Sequence, residues 1–256
     1  MAIGCWPTAI GSVFFRRSGV VKLKDGAVPE RYQRNIGTIG VAGQARLLAS
    51  TVAIVGAGGL GGLVIELLAR AGVGRLKIID GDNFALHNLN RQILATMANI
   101  GQNKAVVAAA RVAAINPDVE AIAVPCMLDE KNAQSFLAGV QVVVDALDNI
   151  KTRLVLAAAA ARLGVPLVHG AIAGCTGQVM TVFPGDPGLA HVYRGMTGAE
   201  RGVEALLGNP APTPALAAAL QTQEVIKILT GLGQPIRNKL LYFDTEQNIF
   251  EFFHFT

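Results

Sequence analysis

The chain has 256 residues, of which 52% are hydrophobic and only 5% aromatic, so its apolar content is mostly Ala, Val, Leu and Ile. A formal net charge of +4 is a weak basic bias over this length and does not indicate a nucleic-acid-binding protein. No apolar run reaches the roughly 18–20 residues of a membrane span, and the first residues lack the basic region of a signal peptide. Three widely spaced cysteines suit a reducing compartment. We therefore expect a cytoplasmic protein that has neither a membrane nor a nucleic acid as partner.

The first part of the chain lacks a clear period. Residues 1–29 are interpreted as an N-terminal arm, with a short β-hairpin at residues 13–23 that turns at residues 17–19. Residues 30–48 are predicted to be mostly helical, with a break among the glycines at positions 37–43. The remainder, residues 30–256, is expected to form one domain.

A regular alternation of strands and helices begins at residue 51. The predicted strands, which are short and rich in β-branched residues, are 51–55, 76–79, 119–124, 142–144 and 166–169. The predicted helices, which have helical spacing and Gly or Pro signals at their ends, are 60–71, 102–115, 129–137 and 152–163. This alternation is typical of βαβ units. We predict an α/β, Rossmann-like fold with a mostly parallel central sheet and helices on both faces.

The pattern changes after residue 169. Residues 178–183 are predicted to form a strand, and the Gly- and Pro-rich residues 184–214 a long loop. A strong helix is predicted at residues 214–230, with Pro at its start and Gly after its end. Residues 239–244 and 248–253 resemble a hairpin. The sheet is therefore expected to be extended by C-terminal antiparallel strands.

A glycine-rich loop connects the first predicted core strand to the helix after it. Gly56, Gly58, Gly59 and Gly61 occupy the positions at which glycine allows a tight turn and close approach of a phosphate to the backbone. The helix N-terminus offers free N–H groups and a partial positive charge to an anion. Asp80 ends the next strand, where an acid usually bonds ribose hydroxyls. These features predict a nucleotide site but do not discriminate ATP from NAD.

Charged residues further along the chain favour ATP. Arg91 and Lys104 can neutralise phosphate charge, and Asp148, just after a strand, can hold Mg²⁺ on a pyrophosphate. A dehydrogenase needs no such set. Taken singly, Arg91 or Lys104 could be a surface charge and Asp148 a helix N-cap, but all three follow one glycine loop.

The motifs together resemble the ThiF/MoeB/HesA family from about residue 31 to the C-terminus. They occur in the family's order and spacing: Arg31-Tyr-Gln-Arg34-Asn-Ile, the 56–61 glycine loop, Gly72-Val-Gly74, Asp80-Gly-Asp82, Asn88-Leu-Asn-Arg91-Gln, Gly101-Gln-Asn-Lys104, Ile115-Asn-Pro117 and Asp145-Ala-Leu-Asp148-Asn. The family binds ATP with Mg²⁺ and adenylates the C-terminal Gly-Gly carboxylate of a ubiquitin-like carrier, usually as a homodimer.

The resemblance implies roles for individual residues. It places Asp80 on the ribose and the set Asn88, Arg91 and Lys104 on the phosphates, and it makes Asp148 the Mg²⁺ ligand. Asp82 and Asn149 belong to the same implied nucleotide site. Arg34 resembles the arginine that crosses the dimer interface to the partner's ATP. The implied catalytic set is Arg34, Arg91, Lys104 and Asp148.

The sequence also departs from the family. Many relatives carry two Cys-x-x-Cys pairs that bind zinc, and here the first pair's positions are Val192 and Gly195, so no zinc site is expected. His191 alone is better explained as a loop residue. The cysteine that some relatives keep before the final helix is missing. Cys175 lies near a predicted strand end, where a small packed residue and a chemical role are both open.

These observations predict an adenylyltransferase that activates the C-terminal carboxylate of a ubiquitin-like sulfur-carrier protein, with a separate sulfur donor. Two alternatives remain open. One is a relative that activates a different carboxylate, such as a tRNA-modifying dehydratase. The other is a non-catalytic scaffold that binds nucleotide or carrier, an idea motivated by the missing cysteines.

Overall fold

A computed structural model of the chain describes residues 13–15, 28–194 and 207–255. The strands are β1 (Val13–Phe15), β2 (Thr51–Val55), β3 (Arg75–Ile79), β4 (Glu120–Val124), β5 (Val142–Asp145), β6 (Leu167–Ala173), β7 (Thr176–Val182), β8 (Lys239–Asp244) and β9 (Ile249–His254). The α-helices are α1 (Gln33–Ala49), α2 (Gly59–Ala71), α3 (Lys104–Ile115), α4 (Ala133–Leu137), α5 (Ile150–Leu163), α6 (Leu189–Val192) and α7 (Pro212–Thr230). Short 3₁₀ turns cover Glu30–Tyr32, Leu86–Asn88 and Met97–Asn99.

The nine described strands form one sheet in the order β1-β4-β3-β2-β5-β6-β7-β8-β9. The central strands from β4 to β6 are parallel. Strands β6 to β9 pair antiparallel with their neighbours, and β1 pairs antiparallel with β4. The predicted fold class, including the C-terminal antiparallel extension, is confirmed.

The central strands β2 and β5 are buried on both faces, as their low polarity requires. In β2, Val52 and Ile54 join the core beneath α2, α3 and α7, whereas Ala53 and Val55 join the core beneath α4 and α5. All five residues of β2 are buried. No helix among the described residues is long and apolar enough to cross a membrane.

Local side-chain bonds explain where the helices begin. Asn103 accepts a bond from the Val106 amide at 3.1 Å, so α3 starts at residue 104 rather than at the predicted 102. Asp129 accepts the Asn132 amide at 2.9 Å and forms a turn, so α4 starts four residues later than predicted. Asn149 caps α5, which therefore starts at residue 150 rather than 152. The predicted break in the first helix is present at Gly40, with φ 67° and ψ 172°.

The strand after the parallel core is longer than predicted. β6 continues to Ala173 because it pairs with β7 along its whole length, through a turn in which Gly174 has φ 57°. The last strand was predicted to start at residue 248, but β9 starts one residue later, since Asn248 has φ 57° and belongs to the turn. β1 supplies the described part of the predicted 13–23 hairpin, and residues 17–19 lie outside the described residues. The predicted 184–214 loop contains α6, and its residues 195–206 also lie outside them.

The order of the strands determines where a ligand can bind. The chain passes from β2 outward through β3 and β4, then returns to place β5 and β6 on the other side of β2. Open α/β sheets bind ligands beyond the carboxyl ends of the strands at such a switch point. The crevice beyond β2 and β5 is therefore the expected site.

Candidate functional site

A cleft of roughly 900 Å³, partly open to solvent, lies at this switch point. Most of the residues that the sequence singled out line it: Gly56, Gly58, Gly59, Asp80, Asp82, Arg91, Lys104, Asp148 and Asn149. They come from positions 56 to 149 of the chain and meet because the carboxyl ends of adjacent parallel strands share one edge of the sheet.

The glycine loop packs too closely for side chains. Gly56 has φ +96°, and a Cβ there would lie 2.5 Å from the Ala146 carbonyl oxygen. A Cβ on Gly61 would lie 1.8 Å from the Gly56 carbonyl oxygen. The first intrahelical bond of α2 runs from the Gly62 amide to the Gly58 carbonyl at 3.0 Å. The amides of the preceding turn therefore remain available to an anion.

Asp80 ties the loop to the end of β3. Its Oδ2 accepts the Ala57 amide at 2.7 Å, and its Oδ1 accepts the Asp82 amide at 2.8 Å. Desolvation by burial raises the pKa of Asp80, against the lowering effects of Lys104 and of the two amides. Each carboxylate oxygen keeps a second lone pair, with which it can accept a ligand hydroxyl.

Two cationic side chains predicted from the sequence line the cleft. Lys104 is buried, and its Nζ lies 3.1 Å from Oδ2 of Asp82, a largely exposed carboxylate. Arg91 donates to the His87 carbonyl at 3.0 Å and to Oδ1 of Asn90 at 2.8 Å. Arg91 lies beside the glycine loop, where a Cβ on Gly59 would be 3.7 Å from its Cγ.

The β5–α5 connection contributes Asp148 and Asn149. Asn149, rather than Asp148, is the N-cap of α5, and its Oδ1 accepts the Thr152 amide at 2.9 Å. Asp148 is exposed in the cleft, and its Oδ1 accepts a long 3.4 Å bond from Asn149. The simpler explanation of Asp148 as a helix cap therefore does not hold.

Three of the predicted site residues lie off the cleft wall. Asn88 is buried, and its Oδ1 accepts the Ala85 amide at 2.9 Å, so it stabilises the segment that carries Arg91. Gly61 packs against the loop rather than facing the cleft. Arg34 is exposed on α1 and does not line the cleft of its own chain. The ligand-binding roles of these residues stay predictions.

Among the residues of the cleft wall that sequence reasoning missed, four carry hydroxyl, amide or guanidinium groups, namely Gln92, Thr152, Arg153 and Asn209. The Oε1 atom of Gln92 and the Oδ1 atom of Asn209 are buried without a hydrogen-bond partner among the described residues. Buried polar atoms of this kind are candidates to bond a ligand. Gln92 follows Arg91 directly and could have been inferred, whereas Asn209 comes from the long loop, where no motif marked it.

The residues weighed for metal or thiol chemistry lie elsewhere. Cys175 is in the β6–β7 turn and is not among the residues that line the cleft. His191 packs edge-on against Phe255, with ring centroids 5.4 Å apart. Within the described part of the chain, no group of three or more His, Cys, Asp or Glu is arranged to hold a metal ion. The absence of zinc stays a prediction.

Comparison with known proteins identifies the family. The model of the ThiF family matches residues 32–256. The chain is 38% identical over 227 residues to the SAMP-activating enzyme E1 of Haloferax volcanii, covering 87% of this chain and 83% of that protein. It is also 38% identical over 233 residues to the sulfur carrier protein adenylyltransferase of Thermus thermophilus, with 84% and 83% covered. The chain belongs to the ThiF family, and the predicted resemblance is confirmed.

Solved structures give the same fold. PaaA superposes with a TM-score of 0.77 at 24% identity, covering 93% of this chain and 76% of that one. E. coli MccB crystallised with ATP gives a TM-score of 0.76 at 21% identity, covering 89% and 72%. At these identities the similarity establishes the architecture alone.

Proposed function

We propose that this protein uses ATP to adenylate the C-terminal carboxylate of a ubiquitin-like sulfur-carrier protein, with release of pyrophosphate. The observation that carries the proposal is the joint placement of Arg91, Lys104 and Asp148 around the free amides of the glycine loop, in one cleft. The names of the relatives, a SAMP-activating enzyme and a sulfur carrier protein adenylyltransferase, support this substrate class.

The cleft suits a nucleoside triphosphate. Helix α2 begins at the cleft, where its first amides can meet an anion, and Arg91 and Lys104 line the same cleft. Asp80, held by two backbone amides, can accept the hydroxyls of a ribose. A dinucleotide would also use the loop and Asp80, but the loop and the helix N-terminus can bind its diphosphate without the two cations. ATP is therefore the favoured ligand over NAD.

The carboxylates of the cleft fit Mg²⁺ held on a polyphosphate. Mg²⁺ is usually bound by one or two carboxylates together with phosphates and water, so a three-ligand protein cage is not required. Asp80 is engaged by amides and Asp82 by Lys104, whereas no ion pair of Asp148 occurs among the described residues. Asp148 is therefore the residue that would hold the ion. When bound, the ion neutralises phosphate charge.

The reaction needs positioning more than acid–base chemistry. A carboxylate oxygen of the carrier attacks the α-phosphorus of ATP, the bond to the bridging oxygen of pyrophosphate breaks, and an acyl-adenylate forms. A carboxylate is already a nucleophile at neutral pH, so no general base is required. Arg91 and Lys104 would orient the triphosphate and stabilise the charge that develops on it.

The carrier and the dimer belong to the same proposal. We infer a carrier that ends in Gly-Gly, as the resemblance to the ThiF family implies. We infer a cytoplasmic homodimer in which Arg34 of one chain reaches the partner's cleft, since Arg34 lies on α1, outside its own. The acyl-adenylate would be consumed by a separate sulfur donor, because the cysteine that some relatives keep before the final helix is missing.

ATP–pyrophosphate exchange tests the proposal. We expect exchange only when a ubiquitin-like carrier ending in Gly-Gly is added, and we expect Asp148→Asn, which keeps the shape of the side chain, to abolish it. A carrier without its last glycine is the matched control. Tight ATP binding without exchange would instead favour the non-catalytic scaffold, and exchange stimulated by a carboxylate on tRNA would favour the dehydratase alternative. Calorimetric binding of NAD with no ATP signal would contradict the nucleotide assignment.

A further inference from the structure

A closed ring of buried polar side chains lies directly behind the cleft. Oδ2 of Asp145 is 2.7 Å from Nδ1 of His169, and Nε2 of His169 is 3.2 Å from the hydroxyl of Tyr193. Arg153 donates to the same hydroxyl at 2.8 Å, and its Nε lies 3.7 Å from Oδ2 of Asp145. The four side chains are almost completely buried. Burying this much polarity is unfavourable unless the groups are paired, and here three hydrogen bonds and the ion pair between Arg153 and Asp145 pair them.

The donors and acceptors of the ring fit only one arrangement. Arg153 donates to the Tyr193 oxygen, and Gln178 donates to it as well, at 3.2 Å. The Tyr193 hydroxyl hydrogen can then go to Nε2 of His169, which also lies 3.2 Å from Nε2 of Gln178, a second donor. Nε2 is therefore an acceptor, Nδ1 carries the hydrogen, and it donates to Asp145. Removing the Tyr193 hydroxyl would deprive Arg153 of an acceptor and would leave Gln178 as the donor that faces His169.

The ring also holds the backbone just before Asp148. Oδ1 of Asp145 accepts the Leu147 amide at 3.1 Å, and Arg153 donates to the Leu147 carbonyl oxygen. The peptide groups on both sides of Leu147 are thus fixed by two members of the ring. The next residue is Asp148, which faces the cleft. These two bonds therefore fix the backbone from which the Asp148 side chain extends.

Tyr193 reaches the ring from another part of the chain. It follows α6, in the long connection between β7 and α7, and packs edge-on to His169 with ring centroids 5.8 Å apart. We propose that Tyr193 is a positioning residue for Asp148: its hydroxyl completes the ring that holds Leu147 and so sets the direction of the Mg²⁺-binding carboxylate. This inference rests on the role proposed above for Asp148. It makes the connection after β7 a structural requirement for metal-dependent nucleotide binding.

The test is Tyr193→Phe, which removes one oxygen atom. The first readout is calorimetric affinity for the α,β-methylene analogue of ATP with and without Mg²⁺. We expect the gain in affinity that Mg²⁺ gives to fall about tenfold, the equivalent of one hydrogen bond to a charged group, with metal-free affinity unchanged. The second readout is hydrogen exchange, which should accelerate at the Leu147 amide. His169→Asn removes the residue that lies between Asp145 and Tyr193 in the ring, and it should likewise reduce the Mg²⁺ gain and accelerate exchange at the Leu147 amide.

A matched control separates positioning from general stability. Thr181→Val also removes a buried hydroxyl, one that donates to Glu224 at 2.8 Å outside the ring. It should lower the melting temperature and leave both the Mg²⁺ gain and the Leu147 exchange unchanged. If Asp148→Asn loses the Mg²⁺ gain but Tyr193→Phe and His169→Asn keep it, the positioning role is wrong and the proposed function stands. If wild type has no Mg²⁺ gain, or Asp148→Asn keeps it, the role of Asp148 fails and the inference fails with it.

Discussion

Replacing Gly61 by alanine should open the nucleotide site. A Cβ at this position would lie 1.8 Å from the Gly56 carbonyl oxygen, and Cβ atoms rarely come within 3.0 Å of another heavy atom. The loop and α2 must therefore separate by about 1.2 Å, the difference between those distances. Gly56 cannot move away freely, because it packs against the Ala146 carbonyl. A shift of about 1 Å in a catalytic geometry can cost on the order of 10²-fold in rate.

The stability effect has two opposing parts. Overpacking costs about 1–3 kcal/mol, whereas Gly to Ala inside a helix contributes up to about 1 kcal/mol of stability. Gly62→Ala is the matched control, because its Cβ would come no closer than 3.3 Å to another heavy atom, in the Leu94 side chain. Gly61→Ala should lower the unfolding free energy measured in urea and the rate of ATP–pyrophosphate exchange. Gly62→Ala should leave the exchange rate nearly unchanged. Equal activity of the two variants would refute the steric argument.

Three further predictions concern the dimer, the metal and pH. Mixing the inactive variants Arg34→Ala and Asp148→Ala should restore up to about a quarter of wild-type exchange at random 1:1 pairing, because each mixed dimer has one intact site; no recovery despite proven subunit exchange would place Arg34 in its own chain's site. Elemental analysis of protein prepared without chelators should find no stoichiometric zinc; stoichiometric zinc would mean that its ligands were misassigned. Burial lowers the pKa of His169 from its ordinary 6.5. Below pH 6.5 the histidine is therefore protonated in the unfolded chain but still neutral in the folded chain, so the unfolding free energy should fall as the pH drops. The groups facing His169, which are Asp145, Arg153 and Tyr193, remain in His169→Asn, so urea melts from pH 7.5 to 5 should give that variant a smaller slope; equal slopes would contradict a neutral buried imidazole.

Local sequence signals correctly predicted the elements whose structure depends on residues close together in the chain. β2, the glycine loop and α2 follow each other directly, so strand composition, turn chemistry and helical period agree there. The starts of α3 and α5 were missed because Asn103 and Asn149 cap them, and several residues near each start could have served as caps. The full length of β6 was missed because it depends on pairing with β7, a contact that no local pattern carries.

The site residues that belong to recognisable motifs were predicted, whereas those brought to the site from distant parts of the chain were missed. Arg91, Lys104 and Asp148 follow a recognisable glycine loop. Asn209 reaches the cleft from the other end of the chain. The Asp145–His169 pair joins adjacent parallel strands at a register that only the sheet defines. The sequence does not show which residues a buried histidine or tyrosine contacts, so these contacts became known only from the structure.

The balance of charge in the cleft bears on how nucleotide binding is controlled. Two cations of the cleft are in ion pairs, Lys104 with Asp82 and Arg153 with Asp145. Among the other charged residues that the structure describes in the cleft wall, the positive charge of Arg91 is opposed by the negative charges of Asp80 and Asp148. One chain thus offers a triphosphate little uncompensated positive charge beyond the α2 N-terminus, whose effect is worth about 1 kcal/mol. Further cations must come from outside the chain, and Mg²⁺ on Asp148 and Arg34 of a second copy are the two that the proposal supplies. ATP should therefore bind weakly in EDTA and weakly to any variant that cannot dimerise. Calorimetry that gave full affinity for a monomeric variant without Mg²⁺ would mean that the cleft's own charges suffice and that this argument is wrong.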